Sequence, residues 1–167
     1  GSTGKPIPGV KIRITNPANE TGIGEIHACG PNIMQGYYAD QEATAEVLSA
    51  DGWLATGDLG FIDGSGNLHI CGRSKNVIVL PSGENVYPEV IEHKINSYSW
   101  VVEGLIIENN GRLEAWIYPD YEAIDEETAG KTRAERKEHI DNLLEQMRRE
   151  LNEQLPPASR INRVFER

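Results

Sequence analysis

The chain has 167 residues, of which 38% are hydrophobic, 25% charged and 7% aromatic, and its 16 basic and 26 acidic side chains give a net charge of −10. A chain of this length buries roughly two thirds of its unfolded surface, enough for one globular core or two small ones without disulfides or metal. The negative charge repels phosphate backbones and anionic lipid heads, which disfavours nucleic acid as the main partner, although a local basic patch can still bind a compact anion.

Cysteine content and hydropathy predict a cytoplasmic protein. Cys29 and Cys71 are too few for a secreted disulfide framework, although they leave a single bridge open. The longest apolar run, residues 77–80, is far shorter than the roughly 20 residues of a transmembrane helix. The first residues lack the basic and apolar blocks of a signal peptide, so neither an export signal nor a membrane span is expected.

The first predicted elements are a β-hairpin and a short helix. Apolar and polar residues alternate over 10–15, which is the period of a half-buried strand. A turn at 16–19 separates this strand from a second one at 24–29, so an antiparallel pair is expected. Asp40 predicts the start of a helix over 41–48, because its side chain can accept hydrogen bonds from the free backbone N–H groups there.

A second hairpin is predicted further along. Strands over 59–62 and 68–71 flank the glycine-rich segment 63–67, which permits the positive φ angles of a tight turn. Asp58 is expected just before the first of these strands. It is either a turn or cap residue or a carboxylate that accepts both hydroxyls of a ribose.

Residues 72–75 (Gly-Arg-Ser-Lys) are expected to close this hairpin. The guanidinium of Arg73 offers a fork of donors suited to ribose or phosphate oxygens, and Lys75 is a flexible point charge. The alternative is a pair of plain surface cations.

A strand over 77–80, a loop at Ser82-Gly83 and a helix that begins at Pro88 are predicted next. Proline is favoured in the first turn of a helix, and residues 91–98 supply one apolar face. A glycine at this loop lets a thin ligand pass close to the backbone, but it equally serves a plain strand-to-helix turn.

The remaining segments predict two strands and a long helix. The strands run over 100–107 and 112–118 and are joined by a turn at 109–111. The acid-rich segment 120–131 is predicted to be a solvated loop. The helix over 131–152 carries one apolar stripe, which favours packing against a sheet over a partner surface.

These elements predict an α+β protein of two small domains. Near Gly72 the predicted elements change from mainly strands and turns to a mixture of helices and strands. This change separates a β-rich, distorted barrel-like unit over 1–72 from a mixed α+β unit over 73–167, in which helices pack on a short sheet. A strand starts at 163 and the chain stops soon after, which indicates a piece of a longer protein. No Cys or His residues stand at metal-ligand spacing, so no metal site is expected.

Six motifs in the chain resemble those of the adenylate-forming superfamily, which includes acyl-CoA synthetases, firefly luciferase and the adenylation domains of peptide synthetases. They lie at 4–9 (GKPIPG), 24–26 with 30–31, 36–38 (GYY), 51–58 (DGWLATGD), 72–75 (GRSK), and 83–88 (GENVYP) with 90–92. Each is weak alone, but six in this order are specific, and together they cover nearly the whole chain. Residues 75–79 followed by 83–88 look most like bacterial long-chain fatty acid–CoA ligases.

The resemblance implies roles for five residues. Asp58 matches the aspartate that binds the ribose hydroxyls of ATP, and Arg73 matches an arginine that contacts the same nucleotide. Lys75 falls at the hinge on which a small C-terminal domain rotates between adenylate formation and thioester formation. Ser82 and Gly83 match the loop that lines the pantetheine channel of CoA in the thioester-forming state.

The implied reaction joins a fatty acid to CoA. ATP first gives an acyl-adenylate and pyrophosphate, and the CoA thiol then releases AMP. ATP, CoA and Mg²⁺ are the expected cofactors of the full-length enzyme, with none bound tightly by the fragment. Residues 1–72 would complete the large AMP-binding domain, 73–167 would form the mobile domain, and the rest of the large domain would be the missing partner. Peripheral membrane association of the full-length enzyme is left open.

This chain departs from the family pattern in two places. The family lysine that engages the acyl carboxylate lies in a motif near the C-terminus, whereas the last lysine here is Lys137, within the predicted long helix. The loop over 73–83 is one residue longer than in common members, and Val79 stands where some relatives carry lysine. No catalytic residue is therefore assigned, and the fragment alone is expected to be inactive.

Two alternatives remain open from the sequence. The first is an adenylating enzyme with another acceptor, such as an acyl carrier protein, or with an aryl or amino acid as its substrate. The second is a non-catalytic binding or interaction module that has inherited these residues.

Overall fold

The structure, a computed structural model, describes residues 2–18 and 21–167. The chain divides into two compact units, the first ending at Asn76 and the second running from Val77 to Arg167. The division lies after Asn76 rather than after Gly72, so Arg73 and Lys75 belong to the first unit. Limits of 1–72 and 73–167 for the functional domains stay a prediction.

The first unit is built on a four-stranded antiparallel sheet. Its strands, in chain order and in spatial order, are β1 (Lys11–Thr15), β2 (Gly24–Cys29), β3 (Leu54–Ile62) and β4 (Leu68–Arg73). Both predicted hairpins are confirmed by this pairing. Asn19 of the turn predicted at 16–19 lies outside the described residues. The described strands form an open sheet and no closed barrel, since β1 and β4 are its two ends.

A short helix, α1 (Gln41–Val47), connects β2 to β3. The side chain of Asp40 accepts a hydrogen bond from the backbone N–H of Ala43 at 2.9 Å, which satisfies one of the donors that a helix start leaves free. The predicted cap and helix are confirmed.

The turn between β3 and β4 is held by one carboxylate. Asp63 accepts hydrogen bonds from the backbone N–H groups of Ser65 and Asn67, each at 2.9 Å. The ring Nε2 of His69 lies 3.0 Å from the second carboxylate oxygen. The hydrogen bond with His69, followed by those with Asn67, holds the pKa of Asp63 well below its usual value. The charged carboxylate is therefore an integral part of this hairpin.

The second unit contains a three-stranded sheet and a separate two-stranded one. Its elements are β5 (Ile78–Val79), β6 (Asn85–Val86), α2 (Pro88–Ile95), β7 (Val101–Asn109), β8 (Arg112–Pro119), α3 (Tyr121–Glu127), α4 (Arg133–Gln154) and β9 (Ile161–Glu166). In the larger sheet β7 and β8 form an antiparallel hairpin, and β9 pairs with β8 in parallel. The predicted strand at 77–80 shrinks to two residues, paired with β6.

The core of the second unit lies between its helices and the larger sheet. Four residues of the predicted stripe on α4 are buried, namely Ile140, Leu144, Met147 and Leu151. They belong to one hydrophobic cluster with the fully buried side chains of α2 and β8, among them Ile95 and Ile117. The stripe therefore packs into the core, as predicted, rather than serving as a partner surface.

The predicted solvated loop at 120–131 is wrong, because much of this segment is the helix α3. Asp120 caps the helix by accepting from the backbone N–H groups of Glu122 and Ala123. The side chain of Ile124 is fully buried in the core cluster. Tyr121, Ala123 and Ile124 lie too close together among five acids to give a helical periodicity, although the contacts of Ile124 and Tyr121 with the core are enough to dock a capped helical turn.

Two polar side chains of the α2 region fasten it to β7. Glu92 accepts a hydrogen bond from the backbone N–H of Ile106 at 2.9 Å, and the amide oxygen of Asn96 accepts from that of Gly104 at 2.8 Å. Burial raises the pKa of Glu92, and Glu103 is among the neighbouring carboxylates that add to the shift by repulsion.

The substitution Glu92→Gln is expected to stabilise the chain increasingly as the pH rises. A carboxyl whose pKa is raised in the folded state stabilises below its unfolded pKa and loses that contribution as the pH rises through its folded pKa. Glutamine keeps the acceptor for Ile106 and never becomes charged. Thermal melting between pH 4 and pH 7 should show a stability difference, variant minus wild type, that grows with pH.

The control for this prediction is Glu153→Gln, which removes an exposed carboxylate from α4. It should leave the pH profile of stability unchanged. A constant difference between Glu92→Gln and wild type across this pH range would show that burial of the charge at Glu92 does not oppose folding.

Candidate functional site

Asp58 and Arg73 lie directly opposite each other on β3 and β4. The Nε of Arg73 is 3.0 Å from Oδ1 of Asp58, and the two side chains are 64% and 31% exposed. An ion pair as accessible to solvent as this one contributes little to stability. Its carboxylate and guanidinium nevertheless stand side by side where solvent can reach them. This arrangement can accept from and donate to a polar ligand.

The position of Asp58 differs from the sequence prediction. It lies within β3, which begins at Leu54, rather than just before a strand at 59. The alternation of apolar residues is interrupted at Thr56-Gly57-Asp58, and this interruption hides the first part of the strand from a periodicity analysis.

A wide bulge in β3 explains the interruption. Glu25 pairs with Leu59, and His27 pairs with Ala55. On β2 only Ile26 lies between these two pairs, whereas on β3 three residues, 56–58, lie between them. Gly57, at the middle of the three, has φ of +74°, a conformation that side chains with a Cβ rarely adopt. Bulges re-aim side chains and are frequent beside functional sites.

The hydroxyl of Thr56 fills the gap that the bulge opens in the strand ladder. It donates to the backbone carbonyl of Ile26 on β2 at 2.8 Å and accepts from the backbone N–H of Asp58 at 3.1 Å. Sequence reasoning gave Thr56 no role of its own. A threonine before a Gly-Asp pair is only a weak signal, because the missing ladder bonds become visible only once the strand register is known.

Lys75 follows Arg73 in a short 3₁₀ turn, Ser74–Asn76, and its side chain is exposed. Arg73 and Lys75 line a cleft of about 700 Å³ in the first unit, together with Thr56 and Gly57. The carboxylate of Glu25 lines the same cleft. The cleft therefore carries charges of both signs beside the bulge.

Ser82 and Gly83 lie in the second unit, at the turn between β5 and β6. The N–H of Gly83 donates to the carbonyl of Leu80 at 2.8 Å, and the Ser82 hydroxyl donates to Glu84 at 2.9 Å. Gly83 has φ of +87°, and no other atom lies within 4 Å of where a Cβ would stand. The turn is exposed, so a ligand can approach its backbone without meeting a side chain.

The described residues contain no metal-ion cluster, no disulfide and no membrane-spanning helix. No group of three or more His, Cys, Asp or Glu side chains within 2–18 and 21–167 is placed to hold a metal ion. Cys29 and Cys71 are free thiols, so the bridge that the sequence left open does not form. Burial raises the pKa of the Cys71 thiol, which disfavours the reactive thiolate. No helix in the part of the chain that the structure describes is long and apolar enough to cross a bilayer.

No family model matches the chain. Among curated proteins it is 43% identical over 96 residues to a long-chain-fatty-acid–CoA ligase of Bos taurus, an alignment that covers 58% of this chain and 13% of that protein. It is 41% identical over 105 residues to feruloyl-CoA synthase of an Amycolatopsis species, covering 60% and 21%. It is 40% identical over 112 residues to 2-succinylbenzoate–CoA ligase of Bacillus cytotoxicus, covering 64% and 22%.

Solved structures share the fold over the full length of the chain. ATP-bound MatB from Rhodopseudomonas palustris superposes with a TM-score of 0.72 at 32% identity, over 100% of this chain and 32% of that one. The amide bond synthetase McbA from Marinactinospora thermotolerans gives a TM-score of 0.73 at 26% identity, over 99% and 32%. The chain thus spans about a third of the length of these structures, and less of the curated relatives.

The fold and the similar proteins define the class: the chain matches a C-terminal part of the adenylate-forming superfamily. Its homologues within that superfamily are acyl-CoA ligases and synthetases, which confirms the resemblance seen in the sequence motifs.

Proposed function

We propose that this chain is the C-terminal part of an AMP-forming ligase that joins a long-chain fatty acid to CoA through an acyl-adenylate. The observation that carries the proposal is the Asp58–Arg73 pair beside the β3 bulge. A carboxylate accepts from both hydroxyls of a ribose, and the adjacent guanidinium donates to the same nucleotide. These donors and acceptors fit ATP, which is also present in the MatB structure that the chain resembles.

Two further groups have roles in this proposal. Lys75, in the 3₁₀ turn next to the limit of the first unit, is the hinge residue of a rotating C-terminal domain. The exposed turn at Ser82 and Gly83 contributes to the pantetheine channel, where an absent side chain at Gly83 leaves room for a thin ligand. Rotation lets one active site use different faces of the same domain in two successive half-reactions.

The substrate class is chosen from motifs and relatives. Residues 75–79 and 83–88 look most like those of long-chain ligases, and the bovine relative is named for that substrate. Feruloyl-CoA synthase supports an aryl acid as the second candidate. McbA, named an amide bond synthetase, supports an acceptor other than CoA. A non-catalytic binding or interaction module is the remaining alternative.

The deciding experiment is an assay of the full-length protein with ATP, Mg²⁺, CoA and a panel of acids. The panel contains palmitate, ferulate, 2-succinylbenzoate and acetate, and AMP release and CoA thioesters are both measured. We expect the highest kcat/KM with palmitate. A higher value with ferulate would replace the substrate class, whereas AMP release without a CoA thioester would replace the acceptor. No AMP with any acid would favour the module.

The 167-residue chain alone is expected to form no adenylate. The proposal assigns the acyl pocket and phosphate loop to sequence outside this chain, and Lys137 lies on α4 rather than in a terminal lysine motif. Pyrophosphate exchange into ATP, measured with palmitate and Mg²⁺, should stay at background, with the full-length protein as the positive control. Detectable exchange would contradict this assignment.

We also propose a cytoplasmic location for the full-length protein, with membrane contact limited to the periphery.

A further inference from the structure

We infer that Thr56 is a positioning residue for the nucleotide: its hydroxyl fixes the backbone of Asp58 so that the carboxylate meets the ribose hydroxyls of ATP. This inference rests on the proposed function, because it gives Thr56 a task only if Asp58 binds the ribose. It concerns a residue that contacts Asp58 and not the substrate.

The first step of the argument is the gap in the β2–β3 ladder. Between the pairs Glu25–Leu59 and His27–Ala55, β2 has one residue and β3 has three. The pairing of Ile26 with Asp58, which would continue the Glu25–Leu59 register, is therefore absent. Backbone groups that lose a ladder partner inside a sheet are costly unless another group satisfies them.

One hydroxyl satisfies both groups. Thr56 donates its single O–H to the Ile26 carbonyl at 2.8 Å and accepts from the N–H of Asp58 at 3.1 Å. A hydroxyl is the smallest side-chain group that can donate and accept at once. Serine keeps both functions, whereas valine has nearly the shape of threonine and keeps neither.

The second step concerns the side-chain carboxylate of Asp58 rather than its backbone. Its carboxylate is held by Nε of Arg73 at 3.0 Å, but Arg73 is 64% exposed, so water screens and competes with that contact. Gly57, with φ of +74°, lies between Thr56 and Asp58 in a backbone conformation that residues with a Cβ rarely adopt. The half-buried hydrogen bonds of Thr56 thus restrain Asp58 more firmly than this exposed ion pair does.

The test compares ribose recognition in variants of the full-length protein. The kcat/KM is measured with ATP, with 2′-deoxy-ATP and with 3′-deoxy-ATP, and the ratio of ATP to each deoxy analogue is the readout. Wild type should prefer ATP by about tenfold or more, the value of one charge-assisted hydrogen bond. Asp58→Ala should bring the ratio near one. Thr56→Val should lower the ratio at least threefold, and Thr56→Ser should keep it within about twofold of wild type.

A purely structural role for Thr56 predicts a different pattern. Thr56→Val would then lower kcat/KM for ATP and the deoxy analogues by the same factor and leave the ratio unchanged, which overturns the inference. Loss of folding in both Thr56→Val and Thr56→Ala would also overturn it, since Thr56 would then serve the fold rather than Asp58. Thermal melting of each variant separates these cases.

Failure of the underlying proposal has its own signature. If Asp58→Ala keeps the wild-type ratio, Asp58 does not bind the ribose, and both the nucleotide role of Asp58 and the inference for Thr56 are lost. If Asp58→Ala removes the preference and Thr56→Val does not, only the inference for Thr56 is wrong.

Discussion

Replacing Asp58 with alanine in the full-length protein should lower kcat/KM for ATP roughly 30- to 1,000-fold, mainly through KM. Hydrogen bonds to a charged group contribute about 1.5–3 kcal/mol each, and two of them to one ribose give about 2–4 kcal/mol after partial replacement by water. The ion pair with Arg73 is largely exposed, so its loss should change the free energy of unfolding by less than about 1 kcal/mol. Steady-state kinetics with varied ATP measure the first effect and thermal melting the second.

The matched control for Asp58→Ala is Glu42→Ala. Glu42 is an exposed carboxylate on α1 in the same unit, and its removal changes the net charge equally. It should leave the KM for ATP unchanged. An unchanged KM for ATP in Asp58→Ala, with the protein folded, would remove the nucleotide role of this residue.

The substitution Gly104→Ala should destabilise the second unit by about 1–3 kcal/mol, the usual cost of overpacking a core. A Cβ at Gly104 would stand 2.3 Å from Cγ2 of Ile95 and 3.1 Å from its Cβ. Ile95 is fully buried at the end of α2, so it cannot turn away without moving the helix from β7. Such a movement also strains the hydrogen bond from the N–H of Gly104 to Asn96.

Urea unfolding of the 167-residue chain, followed by the fluorescence of Trp100 and Trp116 in the second unit, measures this loss. The control is Gly64→Ala, in the turn between β3 and β4, where no atom lies within 4 Å of the added Cβ. It should change the free energy of unfolding by less than about 0.5 kcal/mol. Equal urea midpoints for Gly104→Ala and Gly64→Ala would show that the packing of α2 on β7 adapts to the added methyl group without loss of stability.

Local sequence patterns predicted most of the regular elements and failed where one tertiary contact decides the structure. The alternation before and after the first turn was sufficient for β1 and β2, because one face of each strand is more buried than the other. The helix α3 was missed because few of its side chains dock: Ile124 is fully buried, and Tyr121 packs partly buried against the same core. So few apolar contacts give no helical period for a periodicity analysis to detect.

The candidate site was less predictable than the fold. Residue chemistry alone left two alternatives open for Asp58 and Arg73, a plain structural or surface role and a contact with ribose or phosphate oxygens, and the family resemblance favoured the nucleotide role. Their direct opposition depends on the register of β3 and β4, which a bulge shifts just beyond them. The partnership of Thr56 with Ile26 spans 30 residues of sequence and arises from a strand irregularity. Contacts of this kind can be predicted only when the register of the paired strands is known.

The parallel pairing of β8 with β9 determines the order in which the second unit can fold during synthesis. Between these strands the chain passes through α3 and α4, and Ile161 at the start of β9 is one of the fully buried core residues. The four described strands of the first unit all come from residues 11–73. The larger sheet of the second unit lacks one of its three described strands, and its core lacks Ile161, until the chain beyond α4 has been made.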